Sequence, residues 1–214
     1  MHAHFSKMEF EIIPVVPEMV DVGYIGIAAD RSGSMQQMAA EVRSGLNMFV
    51  EDQKSVGKAH LHVVQFDSDI EDVYAGPLHD APVFDSTHFI PRGTTALYDS
   101  MLHLIERASE YMQKNETTPP ILMISTDGMD NSSKTRSSEL RKIVQTKKSE
   151  GWKFIFIGSQ HVLETGELMG LKENECSAYE PTAEGQFQAL RTASAEITRA
   201  RTVERVERTN EPLR

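Results

Sequence analysis

Apolar residues along this chain follow two alternating patterns: short unbroken runs, and stripes spaced by three and four residues. Val20 to Ala29, Ile121 to Ser125 and Lys153 to Gly158 are runs of the first kind, which suit strands buried on both faces of a parallel sheet. Ala59 to Phe66 and Ile70 to Ala75 flank Asp67-Ser68-Asp69, and this spacing predicts a hairpin and hence one antiparallel edge. Met35, Met38, Val42, Leu46 and Phe49 form a helical stripe that ends at Gly57, and Leu97, Met101, Leu104, Ala108 and Met112 form a second after Gly93-Thr94-Thr95. Further helices are predicted around Leu140, Ile143 and Val144, from Val162 to Met169, and from Phe187 to Ala200, with a short strand at Cys176 to Tyr179. Strand and helix alternate throughout. That order predicts an α/β sheet with right-handed crossovers and helices on both faces.

The pattern divides the 214 residues into a lead-in at 1–16, one domain at 17–200 and a polar tail at 201–214, where apolar anchors thin out and fraying is expected. A hydrophobic content of 39% is enough for a core, and a net charge of −10 argues against nucleic acid as a partner, because a phosphate backbone attracts clustered Lys and Arg. The single cysteine, Cys176, cannot close an internal disulfide and reads as a packing residue. No apolar run approaches the roughly 18 residues that span a bilayer, and Met1 to Lys7 lacks the apolar stretch of a secretory signal. The expected setting is cytoplasmic, with no membrane partner. His2 and His4, and the alternating His60 and His62, read as ordinary surface residues. Asp67, Asp69, Glu71 and Asp72 read as a solvated hairpin face, and Asp130 and Asn131 as turn and capping residues.

Candidate chemistry gathers where the buried strands run out. Asp30-Arg31-Ser32-Gly33-Ser34 follows the first, Thr94-Thr95 precedes the second long helix, and Asp127-Gly128 follows the strand introduced by Pro119-Pro120. In an open α/β sheet such segments meet beyond the carboxyl ends of the strands. Mg²⁺ prefers oxygen ligands in near-octahedral geometry and keeps several waters, so the hydroxyls of Ser32, Ser34 and Thr95 with the carboxylates of Asp30 and Asp127 suit it. The two carboxylates would bind directly or through water. Neutral hydroxyl ligands leave much of the metal's charge uncompensated, and an open coordination position would attract a further carboxylate. A helix predicted to start near Met35 would add a positive N-terminus.

Asp30-x-Ser32-x-Ser34 resembles the signature of von Willebrand factor type A domains, whose metal-ion-dependent adhesion site adds a distant Thr and a distant Asp. Arg92-Gly93-Thr94-Thr95-Ala96-Leu97 resembles the family's Thr-containing loop, and Ser125-Thr126-Asp127-Gly128 its strand-end Asp-Gly. Thr95 takes the ligand role, with Thr94 as the alternative. The resemblance runs from about Asp21 to Tyr179 and is nearest to stand-alone bacterial and phage members. It implies a doubly wound, mostly parallel, Rossmann-like sheet of six strands with one antiparallel edge. It also implies a bound Mg²⁺, with Mn²⁺ or Ca²⁺ as alternatives, that captures an Asp or Glu of a partner protein, in some relatives within assemblies containing an ATPase.

Two other functions compete with this binding module. A metal-dependent hydrolase or phosphotransferase could use the same cation, but no Gly-x-Ser-x-Gly elbow, phosphate loop or placed histidine base accompanies Ser32 and Ser34. The expectation is therefore that the chain is not an enzyme. A structural assembly subunit, in which metal only stabilises loops, predicts partner binding that ignores metal.

Overall fold

The computed structural model describes the backbone of residues 23–210 and side chains within residues 23–202. The proposed lead-in at 1–16, with His2 and His4, lies outside the described residues. Six strands form one sheet: β1 (Tyr24–Asp30), β2 (His60–Phe66), β3 (Ile70–Pro77), β4 (Ile121–Thr126), β5 (Lys153–Gly158) and β6 (Cys176–Ala178). Five helices join them: α1 (Ala39–Val56), α2 (Leu97–Lys114), α3 (Ser137–Ser149), α4 (Val162–Leu168) and α5 (Ala183–Asn210). The strand order is β3-β2-β1-β4-β5-β6; β2 and β3 pair antiparallel and every other pair is parallel.

Side chains of a strand alternate between faces, and β1 shows how this sequence uses both. Ile25, Ile27 and Ala29 join Val42, Leu46 and Phe49 of α1 and Leu190 and Ile197 of α5 in one core layer. Tyr24 and Ala28 join Met101 and Leu104 of α2, Leu140 and Val144 of α3 and Phe154 and Phe156 of β5 in the other. Every residue of β1 and β4 is buried, which explains why their sequences read as unbroken apolar runs. The order reverses between β1 and β4, since the chain leaves β1 toward β2 and later returns on the opposite side. The loops after these two strands therefore open on one crevice.

Three expectations change in detail. The helix predicted from Met35 begins at Ala39, because Gly33–Gln37 winds as a tighter 3-10 turn around buried Met35, so the loop after β1 does not face an α-helical N-terminus. His62 is 3% exposed and so is not a surface residue: it lies on the face of β2 that α2 covers, and its ring meets that of His103 on α2. The boundary drawn at residue 200 falls inside α5, whose backbone stays helical to Asn210.

The reason for the last difference is a polar clasp between α1 and α5. The helices approach so closely that a Cβ on Gly45 would lie 2.4 Å from Leu190 Cδ1. At their far end buried Arg201 donates to the Gln53 carbonyl and side-chain oxygens, both at 2.9 Å, and to the carbonyls of Gly57 at 2.9 Å and Lys58 at 3.0 Å. Gln53 in turn donates to the Ser194 carbonyl at 3.0 Å and to Thr198 Oγ1 at 2.9 Å. A guanidinium thus closes the orphan carbonyls at the end of α1, a role that a polar stretch of sequence does not advertise. Arg201→Ala is expected to lower the unfolding free energy by about 2–3 kcal/mol, the cost of stranding buried acceptors, while Arg199→Ala changes it by less than about 0.5 kcal/mol. Urea denaturation measures both.

Candidate metal centre

Asp30 ends β1 and is 1% exposed. Its Oδ1 accepts the Ser32 N–H at 2.6 Å and its Oδ2 accepts the Thr126 hydroxyl at 2.5 Å, so one carboxylate ties the ends of β1 and β4. The Ser32 and Ser34 hydroxyls lie 3.1 Å apart, and Ser34 Oγ donates to Asp127 Oδ1 at 2.8 Å. Asp30, Ser32, Ser34 and Asp127, drawn from two segments about a hundred residues apart, are therefore joined in one hydrogen-bonded run.

Thr95 reaches the same place from the third segment. It is buried, and its Oγ1 lies 3.8 Å from where a Cβ on Gly128 would stand. Its N–H donates to Asn131 Oδ1 at 2.8 Å and its carbonyl accepts the Asn131 N–H at 3.0 Å. Thr94 turns the other way: its hydroxyl is 3.0 Å from Ser68 Oγ on the hairpin. Of the two threonines, Thr95 is the one beside the Asp127 loop. Capping is the role expected of Asp130 and Asn131, and this stretch does cap: Asp130 Oδ1 accepts the Tyr98 N–H at 3.3 Å, and Ser133 Oγ accepts the Asp99 N–H at 3.0 Å. The helix they cap is α2, not their own, and capping it is what holds Thr95 against Gly128.

A second network fixes the loops from behind. Arg31 is buried; its Nε donates to Asp67 Oδ2 at 2.8 Å and its two terminal nitrogens grip Glu71 at 2.9 and 2.7 Å. Arg92 donates to the same Asp67 oxygen at 2.8 Å and to Glu71 at 2.8 Å. The backbone repeats the link, since Arg92 N–H donates to the Arg31 carbonyl at 2.8 Å and Gly33 N–H to the Gly93 carbonyl at 3.3 Å. Gly93 holds φ +67, and a Cβ there would stand 2.7 Å from Ser68 Oγ, so this turn requires glycine. Of the hairpin acids expected to form a solvated face, Asp69, Glu71 and Asp72 are exposed, but Asp67 is 1% exposed because two arginines from separate loops close over it.

The electrostatics of the two groups differ. Burial pushes Asp67 up, but hydrogen bonds from the Asp69 N–H and Arg92 and the charge of Arg31 outweigh it and leave its carboxyl below the ordinary range. Hydrogen bonds from Arg31 hold Glu71 down at about 2. Burial pushes Asp30 up to about 6 despite the hydrogen bonds from Thr126 and Ser32, with the neighbouring Asp127 adding to the rise, and burial also raises Asp127. Asp30 and Asp127 are thus the carboxylates here that lack a protein counter-charge, which is the condition a cation satisfies.

The Ser32–Ser34 and Ser34–Asp127 oxygens are within hydrogen-bond distance of one another, at 3.1 and 2.8 Å, close enough to share one small ion. The donor set, hydroxyls and carboxylates without sulfur, matches a hard cation.

A doubly wound sheet with oxygen-bearing loops at its switch point defines a class of α/β domain. A family model described as the von Willebrand factor type A domain matches residues 25–193, and the chain belongs to that family. No curated protein matches it. Its fold is similar to that of solved structures of low identity. The open conformation of the pilus adhesin SpaC from Lactobacillus rhamnosus GG superposes with a TM-score of 0.63 at 12% identity, over 84% of this chain and 30% of the adhesin. Proximal thread matrix protein 1 from the mussel byssus, with a zinc-occupied MIDAS motif, gives 0.60 at 18% identity, over 80% of this chain and 47% of that protein. A von Willebrand factor type A protein from Catenulispora acidiphila gives 0.57 at 14% identity, over 85% and 43%. This chain therefore spans less than half the length of each.

Asp67→Ala, which strips buried Arg31 of one carboxylate, is expected to cost about 3–5 kcal/mol of stability. Arg92→Ala, on the exposed rim of the same network, is expected to cost far less, because solvent screens its ion pairs. Chemical denaturation of the two variants checks the contrast, and equal losses would remove Arg31 as the centre of the network.

Proposed function

We propose that this domain holds one divalent cation, Mg²⁺ with Mn²⁺ or Ca²⁺ as alternatives, at Asp30, Ser32, Ser34, Thr95 and Asp127, and uses it to bind an acidic residue of a partner protein. The observation that carries this reading is the hydrogen-bonded run from buried Asp30 through Ser32 and Ser34 to Asp127, at the switch point of the sheet and without a basic side chain among them. The ion would supply a coordination position that takes a carboxylate oxygen of the partner. The protein's own part is to hold its hydroxyls in place: Arg31 and Arg92 brace the first and third segments, and Asn131 sets Thr95.

Further support comes from what surrounds the centre. Met129, beside Gly128, and Ile90, two residues before Arg92, are exposed apolar side chains, of the kind that flank a polar anchor in a protein interface. Membership of the von Willebrand factor type A family and the zinc-occupied motif of the byssus protein agree with a divalent metal in this position. Partners within an ATPase-containing assembly and a cytoplasmic setting belong to the same proposal; among the described residues, no helix is long and apolar enough to cross a membrane.

Calorimetric titration with Mg²⁺ tests the site. The wild type should take up one equivalent, and Asp30→Ala and Asp127→Ala should each lose more than about tenfold in affinity with circular dichroism unchanged; Asp127 is partly exposed and gives the safer variant if Asp30→Ala unfolds. Thr95→Val should weaken uptake and Thr94→Val should not. Retention of a partner that survives chelation would favour a purely structural metal over this reading.

A further inference from the structure

A second group of metal-ligating side chains lies on the flank of the sheet. His62 on β2, Asp72 on β3 and His103 on α2 each offer one ligand atom, and the three atoms lie within 4.8 Å of one another. His62 Nε2 is 2.6 Å and His103 Nε2 2.8 Å from the same oxygen, Asp72 Oδ1, and the two imidazole rings meet edge to face with centroids 6.1 Å apart. This group is separate from the oxygen centre. His62 pairs with Gly26, four residues before Asp30, which is about 13 Å upstream along the sheet.

We propose that His62, Asp72 and His103 form a second cation site, one that takes a transition metal of the zinc type. Two imidazole nitrogens and one carboxylate are the donor set of Zn²⁺, Co²⁺ and Ni²⁺ and a poor one for Mg²⁺, so the chain carries two centres of different hardness. The Tyr24 hydroxyl, 2.6 Å from His62 Nδ1, supplies the outer hydrogen bond that orients a ligating imidazole. With a metal on Nε2, the His62 proton sits on Nδ1 and is donated to the Tyr24 oxygen.

Access and spacing also suit a metal. The Asp72 and His103 side chains are 42% and 21% exposed, so solvent reaches two of the three ligands. Ligands of a tetrahedral zinc with bonds of about 2.0 Å stand about 3.3 Å apart. The observed contacts must widen by little more than half an ångström, by movement of the two exposed side chains. Arg107, the nearby cation one turn along α2, is paired with Glu110 at 3.0 Å. Two neutral imidazoles and one carboxylate leave a net positive centre with a fourth position for water, and a bound ion would pin edge strand β3 to α2.

Titration of the full chain with Co²⁺ in excess Mg²⁺ tests this independently of the oxygen centre, because Mg²⁺ saturates that centre and competes weakly for imidazole. The wild type should develop the visible absorption of nitrogen-coordinated Co²⁺, and His103→Ala and the isosteric Asp72→Asn should each weaken Co²⁺ binding more than about tenfold. His161→Ala, an exposed control, should match the wild type. On addition of Zn²⁺, nitrogen NMR should report the His62 proton on Nδ1. Equal Co²⁺ affinity in wild type, His103→Ala and Asp72→Asn would overturn the proposal, as would a wild-type chain without the absorption; Asp72→Asn carries the test if His103→Ala does not fold.

Discussion

The buried carboxylate of Asp30 is the constraint on which the candidate centre depends. It accepts from the Ser32 N–H on one side and from the Thr126 hydroxyl on the other, and so joins two strands that are adjacent in the sheet but separated by almost a hundred residues of chain. Burying an ionised carboxylate without a counter-charge is costly, and its raised pKa expresses that cost. The fold carries this penalty at the switch point where its topology opens a crevice. A strained electrostatic site of this kind is where a ligand of opposite charge gains most.

The rest of the loop architecture keeps that site in shape. Arg31, the variable position inside Asp-x-Ser-x-Ser, turns away from the crevice and buries its guanidinium against Asp67 and Glu71. Its positive charge is thereby spent on the hairpin and does not compete with a cation for the two uncompensated carboxylates. Arg92 meets the same acids from the next loop, so the first and third segments are braced through the β2–β3 hairpin. The second long helix begins where Asp130 and Ser133 cap it, and this fixes Thr95 at the rim.

Much of this was legible in the sequence, and the reasons differ by element. Strands β1, β4 and β5 are buried on both faces, so their sequences had to be continuous apolar runs. The helical stripes of α1 and α2 follow from packing one face on the sheet. The oxygen-bearing residues stood out because three strand-end segments each carried them. What stayed hidden depends on tertiary covering. His62 and Asp67 have side chains typical of surfaces, and only the placement of α2 over one and of two arginines over the other makes them interior. Arg201 reads as tail because its function, closing the carbonyls of α1, leaves no periodic mark. The 3-10 turn at Gly33–Gln37 shares its apolar residues with the helix that follows, so hydrophobic spacing does not separate them. The choice between Thr94 and Thr95 rests on which hydroxyl faces Gly128, a question of backbone direction.

The chain thus presents oxygen-bearing side chains at the carboxyl end of the sheet and imidazoles on its flank, donor sets of different hardness. The oxygen centre carries the functional reading, and anomalous diffraction from crystals grown with Mn²⁺ tests it most directly. The account predicts an anomalous peak bounded by the side-chain oxygens of Ser32, Ser34 and Thr95, with Asp30 and Asp127 beside it. An ordered loop at 30–34 with no such peak, or with Mn²⁺ bound only elsewhere, would contradict it.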